Sequence, residues 1–351
     1  MSFIWFIVAV FVTVYVAMKL SRYADVLSEK TVLGGLLIGT VFLAGATSLP
    51  EVTTSVSAVL INSPDIAVGN VLGSNLFNLL ILASLDLFFR KERALSRARA
   101  EHRYTVSLGL FLSMLVVLAM GLDLPYTLLG VGLDSLLLCM VYVGGMLLIA
   151  RCNSAKQPDL SPAEGALPEV AAAQDMESGL TQGKITTGHN SGNSISVRRA
   201  WVGFGLSAML ILVFGSLLTI TGDKIAVITG LGASFVGSFL IAASTSLPEA
   251  ITAYAAFRLK NYNLAIGSIL GSNLFNILIL VGTDVIYRPG PLLAGVDPVH
   301  QLTAVFAGVL SVIVLYSLMR KKETSTIRYV IPSSLIIMVY FITSYLIFTG
   351  L

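Results

Sequence analysis

The sequence predicts an all-α polytopic membrane protein whose ten transmembrane helices form two inverted five-helix repeats. Three observations lead to this prediction: an apolar composition, a series of apolar runs of membrane length, and a duplicated segment. Of the 351 residues, 56% are hydrophobic and only 12% are charged. That charged fraction is about half of what a soluble globular protein carries, so most of the chain is expected inside a lipid bilayer.

Ten apolar runs follow one another along the chain, and each is long enough to cross a bilayer as a helix of about 20 residues. The first run has neither a basic segment before it nor a small-residue cleavage site, so we expect a retained helix and not a signal peptide. The predicted spans are 3–19, 33–60, 65–89, 104–122, 126–150, 200–220, 230–257, 263–287, 298–319 and 327–350.

The basic residues indicate how these spans are oriented. If the spans alternate across the membrane, 20 of the 22 Lys and Arg residues fall on the same side. The two on the other side are Lys224 and Arg288. Basic residues are enriched on the cytoplasmic side, so both termini are expected outside. The basic cluster at 90–103 is interpreted as a topology anchor, and no nucleic-acid partner is expected.

The chain contains an internal duplication. Residues 46–82 align without a gap on residues 244–280, and 19 of these 37 positions are identical at an offset of 198 residues. Each repeat has five spans, an odd number, so the second repeat enters the membrane from the opposite face, as in many secondary transporters. The predicted organisation is a first repeat at 1–150, a flexible cytoplasmic linker at 151–199 and a second repeat at 200–351.

The first duplicated motif, TSLPE, places a proline and a carboxylate inside an apolar run. Pro50 and Pro248 each interrupt helical hydrogen bonding, and the backbone freed in this way needs a partner within the membrane. Glu51 and Glu249 follow directly, and a carboxylate at membrane depth is a candidate functional group. The accompanying hydroxyl groups belong to Thr47, Ser48, Thr245 and Ser246. Such an all-oxygen set suits hard cations such as Na⁺ and Ca²⁺.

The second duplicated motif, GSNLFN, adds further oxygen ligands. Ser74 and Asn78 lie four residues apart on one helix face, and Ser272 and Asn276 are their counterparts. We favour cation ligation for these four residues. For Asn75 and Asn273, ligation and simple helix-to-helix hydrogen bonding remain equal alternatives.

A third repeat-related pair, Asp86 and Asp284, lies near span ends. Each is followed four residues later by an arginine, Arg90 or Arg288. An i,i+4 ion pair at the membrane interface therefore explains these aspartates without a role in ion binding.

The charge of the two glutamates indicates what the site can bind. If both are ionised, one Ca²⁺ or two Na⁺ would neutralise them, and competition for the same oxygens is a simple basis for antiport. A carboxyl group at that depth can also hold a proton, because an apolar environment disfavours its charged form, so Ca²⁺/H⁺ or other cation/H⁺ exchange remains an alternative. A remote third hypothesis is a membrane-embedded hydrolase with the glutamates as an acid/base pair, but no nucleophile pattern accompanies them.

At this point the chain resembles the sodium/calcium exchangers of the calcium/cation antiporter superfamily. The resemblance covers the layout of all ten spans and is specific in residues 44–78 and 242–276, which carry the paired motifs. It implies a Na⁺/Ca²⁺ antiporter that works by alternating access, with the first and sixth spans sliding over a core that holds the ions.

The resemblance also implies roles for individual residues. Glu51 and Glu249 would be the central acids shared by calcium and sodium, and the carbonyls of Thr47 and Thr245 would complete the calcium site. The two flanking sodium sites would use hydroxyl groups of Thr47, Ser48 and Ser74 on one side and of Thr245, Ser246 and Ser272 on the other, with the carbonyls of Ala44 and Ala242.

Asn78 would line the middle of the site, opposite Asn276, where some relatives, including potassium-dependent ones, carry an aspartate. The asparagine argues against potassium co-transport and against proton coupling at that position. The Gly-Asn-Ala motif of related cation/proton exchangers is absent. We therefore expect Ca²⁺ and Na⁺ as substrates, no cofactor, no enzymatic activity, no obligatory protein partner and a location in the cell membrane.

Overall fold

The computed structural model describes residues 1–30, 45–122, 125–154, 196–320 and 325–349, and these are overwhelmingly helical. In chain order the helices are α1 (Ser2–Lys30), α2 (Leu49–Leu60), α3 (Pro64–Phe88), α4 (Glu101–Leu122), α5 (Leu133–Ser154), α6 (Val197–Thr229), α7 (Ala233–Thr245), α8 (Leu247–Arg258), α9 (Tyr262–Ile286), α10 (Val299–Met319) and α11 (Thr326–Thr349). Most of the predicted linker, 155–195, lies outside the described residues.

The helix bounds repeat with the sequence offset. The ends of α2 and of α8 differ by 198 residues, and so do those of α3 and α9. The turns that follow α2 and α8 also correspond, because Asn62 and Lys260 both adopt left-handed backbone angles, with φ of 57° and 60°. The two halves therefore share one local structure, as the predicted five-helix repeats require.

The described residues contain eight helices long and apolar enough to cross a membrane, and the pair α7 and α8 is a ninth candidate, bent by 43° at its break. The predicted second span, 33–60, is described only at its end, where α2 lies. This count is compatible with the ten predicted spans.

Some predicted span boundaries differ from the observed helix ends, because hydropathy does not report where the backbone turns. The fifth span was expected from residue 126, but α5 begins at Leu133 because a short hairpin precedes it, formed by β1 (Thr127–Leu128) and β2 (Val131–Gly132). The hairpin turn has positive φ at Leu129 and Gly130. Likewise α6 continues to Thr229, nine residues beyond the apolar run that predicted it.

The two helices that carry the GSNLFN motifs occupy the centre of the molecule. In their apolar stretches 89% of the residues of α3 and 61% of those of α9 are buried, against 28% or less in α1, α4, α5 and α6. The outer helices instead expose large apolar side chains such as Phe11, Phe111 and Trp201. An apolar exterior around a more polar centre is the arrangement that a bilayer favours.

Glycine lets α3 approach α7 closely. A side chain at Gly73 would overlap the carbonyl oxygen of Ser238, and one at Gly69 would lie 2.9 Å from the hydroxyl oxygen of Ser238. In return, Gly237 packs against the backbone of Ile66. The contacted part of α7, Val236–Ile241, is a π-helix, a local widening that is frequent at functional sites.

Candidate cation-binding site

Both TSLPE motifs mark a point where one helical segment ends and the next begins. Ser48 and Ser246 precede α2 and α8 with nearly the same backbone angles, φ −89°, ψ 14° and φ −87°, ψ 3°. Pro50 and Pro248 therefore lie in the first turn of a helix, where a missing N–H costs little. The glutamates occupy the same first turns, where the helix dipole favours negative charge.

The two motifs meet across the repeats. Glu51 is 1% exposed and Glu249 is 2% exposed, so both carboxyl groups are buried. The hydroxyl group of Ser246 donates to Oε1 of Glu51 over 3.3 Å. Glu51 and Glu249 are close enough to interact electrostatically. The fold thus brings the two acids into one buried region.

Oxygen atoms in this region lack hydrogen-bond donors. Among the described residues, several buried oxygens of the predicted site have no partner: Oε2 of Glu51, both carboxyl oxygens of Glu249, Oγ of Ser48 and of Ser74, and Oδ1 of Asn78 and of Asn276. Buried polar atoms are normally satisfied, because an unpaired one costs about 1–3 kcal/mol. Buried oxygens without donors are the kind of ligand that a hard cation would use.

The other predicted ligands have identified surroundings or fall outside the described residues. Thr47 and Ser272 are buried. The carbonyl oxygen of Ala242 accepts hydrogen bonds from the amide of Ser246, at 3.1 Å, and from the hydroxyl of Thr245, at 3.3 Å. Ala44 lies outside the described residues. In the described ranges no three His, Cys, Asp or Glu side chains cluster as a metal site, so neutral oxygens would have to supplement the two acids.

The GSNLFN motifs interlock at the crossing of α3 and α9. Nδ2 of Asn78 donates to Oδ1 of Asn273 over 2.9 Å, and Nδ2 of Asn276 donates to Oδ1 of Asn75, also over 2.9 Å. In addition, Nδ2 of Asn273 donates to the main-chain oxygen of Asn75 over 3.2 Å. The asparagine at the third position of each motif therefore pairs with the asparagine at the sixth position of the other motif.

Asn70 is a central residue that the sequence analysis did not identify. Its side chain is fully buried, and Nδ2 lies 2.8 Å from Oγ1 of Thr54 and 3.3 Å from the carbonyl oxygen of Glu51. Its Oδ1 accepts from Thr245 of the other repeat over 3.2 Å. The duplication does not reveal it, because Ser268 occupies the matching position; a lone asparagine in an apolar span was the available signal.

The ion pairs expected for Asp86 and Asp284 do not explain these buried residues. Asp86 accepts hydrogen bonds from the hydroxyl groups of Tyr329 and Ser333 and from the amide of Leu95. Asp284 accepts from the amides of Gly132, at 2.8 Å, and Leu292, at 2.6 Å. Each carboxylate fastens the loop that follows its helix, so these acids are structural.

The chain matches a family model described as sodium/calcium exchanger protein over residues 1–150 and 199–350. It is similar to inner membrane protein YrbG of Escherichia coli K12, with 29% identity over 286 residues that cover 82% of this chain and 80% of the relative. It is also similar to the putative antiporter CaxA of Alkalimonas amylolytica, at 28% identity over 278 residues and 78% of each chain. Sodium/potassium/calcium exchanger 5 of Homo sapiens is 24% identical, over 79% of this chain and 69% of the relative.

Solved structures of exchangers share the fold. Native YfkE superposes with a TM-score of 0.64 at 14% identity, covering 99% of this chain and 93% of its own. The H⁺/Ca²⁺ exchanger CAX gives 0.62 at 11% identity, with 99% and 89% covered. The sodium-calcium exchanger NCX_Mj gives 0.56 at 18% identity, with 97% of each chain covered. At such low identities these structures establish the architecture alone.

Proposed function

The chain belongs to the sodium/calcium exchanger protein family, and from that premise we propose that it exchanges Na⁺ for Ca²⁺ by alternating access. Membership makes it a multi-pass membrane antiporter for calcium and another cation, and not an enzyme. The choice of sodium as the counter-ion and the assignment of ligands are our proposals.

One observation carries the proposal: the duplicated acids share a buried region with unpaired oxygens. Ser246 of the second repeat hydrogen-bonds Glu51 of the first, and both carboxyl oxygens of Glu249 have no donor among the described residues. A site built from two carboxylates, hydroxyl groups and amide oxygens has the hard ligands that Ca²⁺ and Na⁺ require. We assign Glu51 and Glu249 as the central ligands and Ser74, Asn78 and Asn276 as neutral ones.

The charge of this site favours exchange over simple binding. Two ionised glutamates carry a charge of −2, which one Ca²⁺ or two Na⁺ can neutralise. An occupied site is then close to neutral, whereas an empty site exposes uncompensated charge to the membrane interior, where it is costly. The change between the inward-open and outward-open states is therefore easier with an ion bound than with the site empty. This couples the transport of one ion to that of the other.

The moving unit in this proposal is the pair α1 and α6. These two helices pack extensively against each other, and they are among the least buried spans. The contacts of α6 with α2 include a hydrogen bond between Ser57 and Ser216, at 2.8 Å, and one from Thr219 to the carbonyl of Thr54, at 3.1 Å. A few such exchangeable contacts would allow the pair to slide over the core.

Two further features support sodium. One curated relative is named as a sodium/potassium/calcium exchanger. Position 276 carries asparagine, a neutral ligand whose side chain does not gain or lose a proton near neutral pH.

A Ca²⁺/H⁺ antiporter is the second candidate. The observation in its favour is the pair of unpaired carboxyl oxygens on Glu249, because a buried carboxyl group without a cation can be neutralised by a proton. Protons and sodium ions would then compete for the same group, and the driving gradient tells the two functions apart.

Calcium flux into proteoliposomes under separate sodium, proton and potassium gradients tests the proposal. We expect an outward sodium gradient to drive uptake of radioactive calcium, and we expect Glu51→Gln and Glu249→Gln each to reduce it at least 100-fold. Glu101→Gln is the matched control, because Glu101 is partly exposed and pairs with Arg99. If calcium uptake depends on the pH gradient and does not depend on sodium, the protein is a Ca²⁺/H⁺ antiporter and the proposal of Na⁺/Ca²⁺ exchange is wrong.

We also propose that both termini lie outside the cell membrane and that residues 151–199 are cytoplasmic, because 20 of the 22 basic residues then face the cytoplasm. Alkaline phosphatase folds only outside the bacterial cytoplasm, so its fusion to residue 351 is expected to be active and its fusion within the linker inactive. The reverse pattern of activities would invert the orientation.

A further inference from the structure

The four asparagines at the crossing of α3 and α9 form directed hydrogen bonds. We infer that Asn273 and Asn75 are positioning residues that fix the amide orientation of Asn78 and Asn276, so that each presents its oxygen to a bound cation. This inference deepens the proposed function, because it rests on the assignment of Asn78 and Asn276 as neutral ligands.

A main-chain oxygen fixes the orientation of the Asn273 amide, and with it the direction of the hydrogen bonds from Asn78 to Asn273 and on to Asn75. An asparagine amide has a donor end, the NH₂ group, and an acceptor end, the oxygen, and half a turn exchanges them. One end of the Asn273 amide lies 3.2 Å from the main-chain oxygen of Asn75. A carbonyl oxygen can only accept, so this end must be the NH₂ group.

The orientation of Asn78 follows from that of Asn273. Because the NH₂ group of Asn273 faces the carbonyl of Asn75, its Oδ1 faces Asn78, and at 2.9 Å it accepts from Nδ2 of Asn78. The donor end of the Asn78 amide is therefore occupied. Its Oδ1 is buried and has no hydrogen-bond partner among the described residues.

The pair in the other repeat has the same direction in the structure, although no main-chain acceptor is described for the amide of Asn75. Nδ2 of Asn276 donates to Oδ1 of Asn75 over 2.9 Å, and Oδ1 of Asn276 is likewise buried without a described partner. Two positions related by the repeat thus leave an oxygen free in the same way. A half-turn of either amide would place two N–H groups at the free position, and these would repel a cation.

This arrangement favours helix-to-helix hydrogen bonding over direct ligation for Asn75 and Asn273. Their side-chain oxygens are engaged by the neighbouring amides, so they act on the ion through Asn78 and Asn276. Partners that orient metal ligands contribute strongly to affinity, and their loss typically reduces metal binding 10- to 100-fold.

A double-mutant cycle tests the inference, with calcium chloride titrated calorimetrically into the purified full-length protein. We expect Asn78→Ala and Asn273→Ala each to weaken calcium binding by about 10-fold or more. If Asn273 acts through Asn78, the double variant binds calcium no more weakly than Asn78→Ala. The pair Asn276→Ala and Asn75→Ala is expected to show the same non-additivity.

The matched control is Asn263→Ala, on the same helix as Asn273. It removes a hydrogen bond that the main-chain N–H of Arg99, in the loop before α4, donates to Oδ1 of Asn263 over 2.9 Å. Asn263 lies ten residues from Asn273, about 15 Å along α9. The calcium affinity of the Asn263→Ala variant should therefore be unchanged. If Asn273→Ala fails to fold, Asn273→Ser replaces it in the cycle.

Multiplicative losses in the double variant, or an unchanged affinity in Asn273→Ala or its serine replacement, would overturn the inference. The titration uses calcium without any sodium or proton gradient. If sodium fails to drive calcium flux, the result of the titration still stands. If the double-mutant cycle fails, the identity of the counter-ion is not affected. The two proposals can therefore fail separately.

Discussion

Buried acids in this protein fall into two kinds that differ in their hydrogen bonds. Glu249 has no described donor for either carboxyl oxygen, whereas both oxygens of Asp86 and of Asp284 accept from neighbouring groups. A carboxylate that receives donors from the protein is stabilised without a cation. Glu51 and Glu249 each keep at least one carboxyl oxygen without a described donor, and this distinction separates the proposed ligands from the structural acids.

Asp86→Asn and Asp284→Asn are expected to destabilise the protein unequally. At position 86 the new NH₂ group can replace the oxygen that faces Ser333, and the hydroxyl of Ser333 can rotate to accept. At position 284 it would face the amide of Gly132 or of Leu292, which can only donate. We expect a loss of about 1 kcal/mol in the free energy of unfolding for Asp86→Asn and about 3 kcal/mol for Asp284→Asn.

Thermal unfolding in detergent measures this difference, and calcium titration checks that the affinity of both variants is unchanged. Glu101→Gln, at a partly exposed position, serves as the control and should alter stability by less than about 0.5 kcal/mol. If Asp86→Asn were the more damaging variant, or if either change weakened calcium binding, these acids would not be purely structural.

At the residue scale the sequence indicated the candidate site as far as the duplication reached. The paired motifs indicated Glu51, Glu249 and the asparagines, because a costly group retained twice in an apolar span signals function. The role of Asn70 was missed, since the second repeat carries serine at that position. The hydrogen-bond partners of Asp86 were also missed, because Tyr329 and Ser333 are far away in the chain.

The helices show which local features a sequence encodes. The breaks before α2 and α8 were predictable, because proline fixes φ and favours the first turn of a helix. The π-helix at Val236–Ile241 has no such local signal, since it occurs where α7 packs against the glycines of α3. The hairpin before α5 was also missed, because Leu129 adopts a left-handed conformation that hydropathy does not report.

Gly73→Ala is expected to disrupt the contact between α3 and α7. Its Cβ would overlap the carbonyl of Ser238, and a backbone atom cannot yield as a side chain does. We expect a destabilisation of about 1–3 kcal/mol, measured by thermal unfolding, and weaker calcium binding because Ser74 follows directly in the chain.

The control for this change is Gly205→Ala on α6, where no atom lies within 4 Å of the added Cβ. Alanine is the better helix former by about 1 kcal/mol, so this variant should be as stable as the original protein or slightly more so. If the two variants were equally stable, α3 and α7 would be able to move apart at Gly73 without a loss in the free energy of unfolding.

At the scale of the whole molecule the architecture follows from few constraints. A bilayer admits only helices or closed barrels, and the offset of 198 residues with an odd number of spans per repeat requires inversion. The sequence therefore predicted the fold class. It did not predict how α3 and α9 cross, because that crossing depends on side chains from both repeats, including the asparagine pairs.

Alternating access predicts that locking α6 to the core stops transport. The hydroxyl oxygens of Ser57 on α2 and Ser216 on α6 are 2.8 Å apart, so cysteines at both positions are close enough for a disulfide. In a protein whose Cys139 and Cys152 are replaced by alanine, the oxidised pair Ser57→Cys and Ser216→Cys should reduce calcium flux at least 10-fold. A reducing agent should restore the flux.

The single variants, Ser57→Cys and Ser216→Cys, are the controls, and their flux should not respond to oxidation. Calcium titration of the cross-linked protein separates locking from damage: a locked protein still has an assembled site and binds calcium, whereas a distorted one does not. Because a disulfide permits only a small relative displacement of its two helices, undiminished flux after complete cross-linking would mean that α6 stays fixed against α2 during exchange. The movement that opens the site to each side would then have to occur within the core, at the breaks that precede α2 and α8.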